Sequence, residues 1–295
     1  MIKEFNNETQ AKAVSDSLGL FMTKHRGVYI VGNNKEEILD SYNLGYNHKR
    51  NVFYDKKVFM PLKDGSMVVN DTFLVDASSI ELPYNLKDCS RMFSGCRSLK
   101  IPPIIPKGVI KCAQMFKDCV SLETPPNIPE GVQYCTQMFS NCASLRTPPD
   151  IPRGVVECSY MFSGCTSLET SPEIPEGVIN CHGMFNDCSS LVVAPIIPSS
   201  VTNCAYMFDG CIILKTSPTI PEGVEDCSFM FSGCTSLEIP PAIPSGVTDC
   251  YYMFSGCISL KESPQFPENC RTTGALHSTQ FERFNYDALL ARPKI

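Results

Sequence analysis

The sequence lacks most features that mark enzymes and membrane proteins. It contains 4 histidines, and no nucleophile elbow, Walker loop, GxGxxG or paired-carboxylate motif is present. We therefore expect no catalytic residues and no cofactor. No apolar run approaches the roughly 20 residues of a spanning helix, and the first residues lack the apolar stretch of a signal peptide. We expect no membrane insertion, and a protein that is cytoplasmic or secreted without a signal peptide, including into a host cell.

Basic charge is also scarce. The formal net charge is -6, and residues 1–70 carry ten Lys and Arg against eight Asp and Glu, whereas the remainder carries 15 against 23. An acidic surface is a poor match for the phosphate backbone, which dominates nucleic-acid affinity. The sequence therefore excludes nucleic acid from the expected partners.

Cysteine, in contrast, is abundant and regularly spaced. Sixteen of the 17 cysteines fall on two rows with a 23-residue period. The first cysteine row comprises Cys89, Cys112, Cys135, Cys158, Cys181, Cys204, Cys227 and Cys250, and the second cysteine row follows it seven residues later, from Cys96 to Cys257. A strict period without insertions is typical of units that stack on their own copies. The sequence predicts an α/β repeat solenoid of eight units.

The unit reads CxxMFxxCxSLxxxPxIPxGV. Val, Cys, Met and Phe at positions -3, 0, 3 and 4 have the spacing of one helix face, which predicts a short helix. The residue before the second Cys is always Gly, Asn or Asp, as a left-handed helix C-cap requires. Prolines such as Pro125, Pro126 and Pro129 exclude a continuous sheet. We expect short β-bridges around each Ser-Leu-x tripeptide, followed by polyproline-like backbone.

The cysteine spacing argues against metal and disulfide chemistry. Zinc sites bring cysteines together in fours, which a uniform CxxMFxxC does not do, so no metal site is expected. Two cysteines seven residues apart lie about 10 Å apart along a helix, beyond bridging range. Between units the second row has room to oxidise and the first does not. The favoured interpretation is reduced thiols that fill a tight core.

Two strings within the repeats carry a family resemblance. SYMFSGCTSLETSPEIP, from Ser159, and YYMFSGCISL, from Tyr251, resemble the BspA-like leucine-rich repeats of bacterial surface and secreted proteins and of some protozoan proteins. The resemblance covers roughly residues 73–270. It implies a curved solenoid that binds proteins or matrix components and has no catalytic activity of its own.

The segments outside the repeats are predicted to close the solenoid. Residues 1–72 form an N-terminal α/β cap or small domain, with helical spacing over 7–24, a strand over 28–31 and a short helix over 35–41. A hairpin turning at Lys63, Asp64 and Gly65 is expected to cover the first unit.

The solenoid itself is predicted to span residues 73–270. Cys270 occupies the register of Val247, and the next cysteine of the first row is missing. Residues 271–295 then form a capping segment with a helix over 279–292.

Function must lie at positions that the repeat leaves variable. If the unit contains a helix, the position before Met points to solvent. This pre-methionine row comprises Arg91, Gln114, Gln137, Tyr160, Gly183, Tyr206, Phe229 and Tyr252. We assign the binding site to Tyr160, Tyr206, Phe229, Tyr251 and Tyr252, because exposed aromatics in a row are typical of contact surfaces. The alternative is that these rings only pack on one another.

The residues after the fixed leucine offer a second surface. This charged row comprises Lys100, Glu123, Arg146, Glu169, Val192, Lys215, Glu238 and Lys261. Mixed charge is usually a solvated face, but the resemblance implies that this side is the common binding surface of leucine-rich repeats.

The favoured function is a non-catalytic protein–protein interaction module, either a secreted effector or an intracellular scaffold that binds a protein partner along one face. Two alternatives stay open. One is a surface adhesin that binds host protein or glycan, and the other is an effector whose residues 1–72 carry an enzymatic activity. The oligomeric state is not indicated by the sequence.

Overall fold

The structure is a computed structural model of the chain. It describes residues 3–5, 8–9, 11–12, 21–25, 28–32, 44–47, 52–55, 59–61, 67–69, 73–83 and 85–282. The predicted helices over 35–41 and 279–292 lie largely or entirely outside these residues.

The described residues of the N-terminal region form seven short strands in three antiparallel sheets. The strands are β1 Lys3–Phe5, β2 Phe21–His25, β3 Val28–Gly32, β4 Leu44–Asn47, β5 Val52–Asp55, β6 Phe59–Pro61 and β7 Met67–Val69. β3 lies between β1 and β2, β4 pairs with β5, and β6 pairs with β7.

Three predictions for this region can be compared with the strands. The strand over 28–31 is confirmed as β3. Residues 8–9 and 11–12 are helical, but the helix predicted to extend to residue 24 is wrong at its end, because Phe21 begins β2 and pairs with Gly32. Hairpin pairing with β3 therefore overrides the helical spacing of the apolar residues.

The strand pairing of the hairpin predicted before the repeats is confirmed, and its predicted turn at Lys63, Asp64 and Gly65 lies outside the described residues. β6 and β7 pair in a register that places Phe59 opposite Val69 and Pro61 opposite Met67. The Val69 amide donates a hydrogen bond to the Met92 carbonyl over 2.8 Å, and Val69 packs against the hydrophobic core of the repeats. The end of β7 thus contacts the first unit.

The repeats form stacked coils, which we number 1 to 8 from each cysteine of the first row. Their described residues contain consecutive turns and isolated bridges instead of α-helix, so the predicted short helix is wrong. In coil 1 the amides of Met92, Ser94 and Cys96 each donate to the carbonyl three residues earlier. Successive three-residue turns return Cys, Met and Phe to one side of the chain, and this produces the apolar spacing that also indicates a helix.

Alternate amides of the same segment bind the next coil. The amides of Cys89, Arg91, Phe93 and Gly95 donate to carbonyl groups 22 residues further along, over 2.8–2.9 Å. An α-helix would direct all of these amides to its own carbonyls. The turns instead join each coil to its neighbour through the backbone, which explains why the spacing of the cysteines within each row does not vary.

Two positions of each coil have left-handed backbone. The residue before the second cysteine has φ between 58° and 79°, and the pre-methionine row has φ between 52° and 61°. The left-handed backbone at the residue before the second cysteine was predicted because Gly, Asn and Asp occupy this position. These residues lie in a turn, however, and not at the end of a helix. A positive φ at the third residue is what type II turns require.

The bridges between coils lie mainly before the first cysteine. Eight parallel bridges join residues 88, 111, 134, 157, 180, 203, 226, 249 and 271 in sequence. Two further bridges, Asp76–Ile101 and Thr216–Ile239, follow a Leu-x dipeptide, whereas bridges were expected around the Ser-Leu-x tripeptide of each unit. The proline segments therefore bridge at few positions, and most interstrand pairing occurs on the opposite flank of the turns.

The core is a set of identical side chains stacked along the solenoid. All cysteines, methionines and phenylalanines of the eight units are buried, together with the leucine of every SL pair. The phenylalanine rings from Phe93 to Phe254 stack with centroids 5.6–5.8 Å apart and interplanar angles of 18° or less. Burial of these side chains supplies the stability that short turns lack.

Both ends of the repeat depart from the sequence pattern. Phe73, in the register of the second cysteine row, is 84% exposed, and Leu74 packs against the core instead. At the other end, the turn pattern continues past residue 271: Ala275 and His277 carbonyls accept from Phe254 and Gly256, and Thr279 donates to Leu276. This partial coil 9 uses Gly274 and Ser278 at its left-handed positions.

In the described residues, no helix is long and apolar enough to cross a membrane.

Candidate functional site

The five aromatic residues predicted to bind a partner are all half-buried. Their left-handed backbone directs four of them into one row, where each ring lies beside the ring of the neighbouring coil. The structure thus brings them together, but as a stacked column and not as freely exposed side chains.

Tyr206, Phe229 and Tyr252 form the centre of this column. The rings of Tyr206 and Phe229 are 4.5 Å apart at 13°, and those of Phe229 and Tyr252 are 5.4 Å apart at 11°. Both faces of the Phe229 ring are therefore covered by neighbouring rings. A partner at this row would meet ring edges and the tyrosine hydroxyl groups.

His182 fills the break that Gly183 leaves in the column. Its ring lies 4.9 Å from Tyr160 and 5.4 Å from Tyr206, and its Nε2 is 2.8 Å from the Tyr160 hydroxyl oxygen. A Cβ at Gly183 would lie 2.3 Å from Cε1 of Tyr160, so the Tyr160 ring requires glycine there. Sequence reasoning missed this role, because His182 lies one position outside the row.

The column ends on coil 9. A Cβ at Gly274 would lie 2.5 Å from Cε2 of Tyr252, which repeats the arrangement of Gly183 and Tyr160. The His277 ring is 5.9 Å from that of Tyr252 in edge contact. Because the sequence of coil 9 has no cysteine, methionine or phenylalanine of the repeat, its contribution was not predicted.

Tyr251 lies beside the column. Its ring meets Phe229 and Tyr252 edge-on, at 5.3 and 4.6 Å. The Arg271 guanidinium lies 4.1 Å from the Tyr251 ring centroid and pairs with Asp249 over 3.2 Å. The cation–π contact fixes the outer face of Tyr251.

The N-terminal half of the pre-methionine row is polar. The Arg91 Nε donates to the Gln114 side-chain oxygen over 2.6 Å, and the Gln114 amide donates to Gln137. The row therefore changes from hydrogen-bonded polar side chains in coils 1–3 to aromatic rings in coils 4 and 6–8, although all eight positions share the same left-handed backbone.

The charged row on the proline side is largely paired. Lys100 bonds Glu123 over 2.8 Å, Arg146 bonds Glu169 over 3.2 Å, and Lys261 bonds Glu238. These pairs are exposed and each contributes little to stability. Their effect is to leave few unneutralised charges on this side, with Val192 as the one apolar interruption of the row.

A groove opens at this interruption, between coils 5 and 6. Residues 193–197 and 216–219, together with Ser199 and Pro221, line a volume of about 370 Å³. Coil 6 is bridged to coil 7 at Thr216–Ile239, and the Ser217 hydroxyl donates to the Ile239 carbonyl over 3.2 Å. The groove lies on the other side of coil 6. We call it the coil 5–6 groove.

The rim of the coil 5–6 groove is apolar and exposed. Val193 is 61% and Ile196 is 88% exposed. Coils 4 and 6 place Thr170 and Thr216 in the register of Val193. Sequence reasoning recorded Val192 but missed the groove, because spacing between coils cannot be read from the repeat.

The cysteines are buried, and burial raises the pKa of the thiols from Cys112 to Cys270. Desolvation raises the pKa of Cys135 and Cys165 to about 12. In the second row, thiols from Cys119 to Cys257 donate to the carbonyl of the phenylalanine 26 residues earlier, over 3.0–3.2 Å. Metal binding requires thiolates, and within the described part of the chain no three His, Cys, Asp or Glu side chains are grouped to hold an ion.

The repeats match a family model described as BspA-type leucine-rich repeat region. The match has six copies and covers residues 74–192 and 158–286. The chain is also similar to a solved leucine-rich repeat protein from Bacteroides ovatus, at 18% identity and a TM-score of 0.31, over 78% of this chain and 95% of that one. No curated protein matches the sequence. Because the family model spans well over half of the chain, the protein belongs to the BspA-type leucine-rich repeat family.

Proposed function

We propose that the protein is a non-catalytic protein-interaction module whose partner binds the proline side at the coil 5–6 groove. Repeat solenoids of this kind commonly use their extended surfaces to bind proteins. The observation that carries the proposal is the exposed apolar rim of Val193 and Ile196 beside a groove of about 370 Å³.

Exposed apolar residues occupy both rim registers on coil 5 and also on coil 1, where Ile101 is 45% and Ile104 is 82% exposed, but the coils nearest coil 5 have polar residues in the second register. Coils 3 and 4 place Asp150 and Glu173 in the register of Ile196, and coil 6 places Thr219 there. Neither side chain of the rim packs in the core, since each is exposed to solvent for more than half of its surface. Exposed apolar side chains rimmed by polar ones are typical of protein contact sites.

The surroundings fit a protein partner. The ion pairs Arg146–Glu169 and Lys261–Glu238 flank the groove on the same row. Protein interfaces commonly combine an apolar centre depleted of charge with a polar rim. An apolar segment of a partner would enter the groove, and polar contacts around it would set its orientation.

The test uses substitutions that the repeat already accepts. Val193→Thr combined with Ile196→Thr installs the residues of coil 6, Thr216 and Thr219, on coil 5. Ile104→Thr is the matched control, because Ile104 occupies the register of Ile196 on coil 1 and is 82% exposed. The immobilised full chain is used to capture partners from a lysate of the producing cell. We expect the double variant to lose the captured protein and the control to retain it.

The aromatic column is the second candidate surface. It is supported by the half-exposed edges of Tyr206, Phe229 and Tyr252, since tyrosine-rich surfaces are common at interfaces. In the same capture experiment, replacing these three residues with Ser would abolish binding if the column is the contact surface. Retention by the Ser variant together with loss by the Thr variant assigns the groove, and loss by the control alone contradicts both assignments.

We further propose that the protein acts in a reducing compartment, as a scaffold or as an effector inside a host. This is supported by the burial of the cysteines in the core, where they act as small apolar side chains. The non-catalytic role is supported by the raised pKa of the buried thiols, because a protonated cysteine is a poor nucleophile. The alternative role as a surface adhesin would require that the protein is exported and that its thiols are oxidised. The alternative role as an enzyme, with its activity in residues 1–72, would require that the full chain turns over a substrate.

A further inference from the structure

Cys270 is the one cysteine outside both rows, and it meets a thiol of the first row. Its amide donates to the Pro267 carbonyl over 3.1 Å, as the Val247 amide does to Pro244. Seven coils have valine in this register. The Cys270 Sγ lies 2.8 Å from the Cys250 Sγ.

The backbone holds these two residues side by side. Asp249 and Arg271 form a parallel bridge, and the Cys250 amide donates to the Arg271 carbonyl over 2.8 Å. A disulfide requires the two Sγ atoms to lie about 2.05 Å apart. The Sγ atoms of Cys250 and Cys270, 2.8 Å apart, therefore need only a small approach to reach bonding distance.

The other thiols are engaged differently. Second-row thiols such as Cys234 and Cys257 donate to a phenylalanine carbonyl of the preceding coil. Cys250, in the first row, instead accepts a hydrogen bond from the Cys270 thiol. Coil 8 is one residue shorter than the others, because its amides bind carbonyls 21 and not 22 residues further along. The segment of coil 8 that contains Cys270 therefore differs in length from the same segment of the other coils.

Cys270 is also the more accessible member of the pair. It is 6% exposed, whereas Cys250 is fully buried. It lies in coil 8, next to the partial coil 9. A small oxidant would reach Cys270 first.

We propose that Cys250 and Cys270 are an oxidative modification site, which a low-molecular-weight disulfide such as oxidised glutathione converts to an intramolecular disulfide. The Cys270 thiolate attacks the oxidant and releases one glutathione thiol, and the Cys250 thiolate then attacks the mixed disulfide and releases the second. Two thiols of the protein are oxidised, and one glutathione disulfide is reduced to two thiols. Because burial raises the pKa of both cysteines, the reaction is faster at alkaline pH.

The disulfide would act on the end of the aromatic column. Arg271 follows Cys270 directly and lies over the Tyr251 ring. A covalent link from Cys270 to coil 8 holds Arg271 in that contact, so oxidation would stiffen the surface formed by Tyr251 and Tyr252.

The experiment uses the full chain, reduced and then incubated with oxidised glutathione at pH 8.5. After alkylation of the remaining thiols, a non-reducing digest is analysed by mass spectrometry. We expect the loss of two of the 17 thiols, one cross-link joining the Cys250 and Cys270 peptides, and its disappearance after treatment with dithiothreitol.

Two variants sharpen the result. Cys270→Val installs the residue of the other coils and should fold without forming the cross-link, whereas Cys257→Ala, on the same coil, should leave the cross-link unchanged. Glutathione adducts on Cys270 without a cross-link, a cross-link between other cysteines, or 17 free thiols would overturn the proposal. These outcomes are read on the wild-type chain, so they do not depend on the folding of either variant.

Discussion

Replacing Phe162 by alanine tests the core of the solenoid most directly. Phe162 lies in coil 4, is fully buried, and stacks on Phe139 and Phe185 at 5.7 Å on both sides. Removal of a buried phenylalanine ring costs about 3–5 kcal/mol, because transfer energy is lost and a cavity remains. Two stacking contacts, each about 0.5–1.5 kcal/mol, are part of that loss. We expect a decrease of about 4 kcal/mol in the free energy of unfolding.

Phe229→Ala is the matched control. Phe229 also stacks between two rings, Tyr206 and Tyr252, but it is half-buried and water can fill the space that the ring leaves. We expect a loss of about 1–2 kcal/mol, from the stacking contacts and partial burial.

Urea denaturation followed by tyrosine fluorescence measures both variants, since the chain has 11 tyrosines and no tryptophan. Hydrogen exchange should localise the loss of protection in the Phe162 variant to coils 3–5, because each coil contacts only its neighbours. Equal losses in the two variants would falsify the assignment of the phenylalanine rings to a closely packed interior.

Two further predictions follow from the thiols and from Gly183. Burial raises the pKa of Cys135 and Cys165 to about 12, whereas thiols in an unfolded chain have a pKa of about 8.5. Above about pH 8 the unfolded chain therefore releases thiol protons that the folded chain keeps. The free energy of unfolding should fall as pH rises through this range. Denaturation in reductant at pH 7.5, 8.5 and 9.5 measures this, and a flat profile contradicts it. Gly183→Ala places a Cβ 2.3 Å from the Tyr160 ring at φ +59° and should lower the free energy of unfolding by about 2–3 kcal/mol. Gly233→Ala is the control, because its φ is +70° and its nearest neighbouring atom lies at 3.5 Å. It should lower the free energy of unfolding by about 1 kcal/mol, from backbone strain alone. Comparable losses in thermal denaturation would show that the Tyr160 ring moves aside.

The repeat, its period and its buried residues were predictable because they follow from side-chain identity alone. Leu99, Phe93 and Cys96 are buried as their rows require. The left-handed residue at Gly95 was also predictable, since glycine, asparagine and aspartate tolerate that backbone.

The turns were not predictable from the same pattern. Cys, Met and Phe have one apolar spacing in a helix and in successive three-residue turns, so the sequence favours the commoner element. What decides between them is where the amides of Arg91 and Phe93 bind, and those bonds reach carbonyls 22 residues away. Such pairing depends on the neighbouring coil and leaves no local signal.

The candidate surfaces were predictable only in part. The aromatic row was recognised, but its column depends on His182, Gly274 and His277, which lie outside the row or outside the recognised repeats. Likewise, Val192 was visible as an exception, whereas the coil 5–6 groove depends on contacts between coils, such as the bridge from Thr216 to Ile239 on the other side of coil 6.

The hydrogen bonds between coils have a mechanical consequence. They run from coil to coil, along the solenoid axis and across the direction of the chain. A pull applied to the two ends of the chain therefore loads the terminal coil first, and its few bonds part before those of the next coil carry the force. The protein would therefore unfold one coil at a time and lengthen in equal steps. A partner bound near the middle of the solenoid would stay bound while the terminal coils unfold.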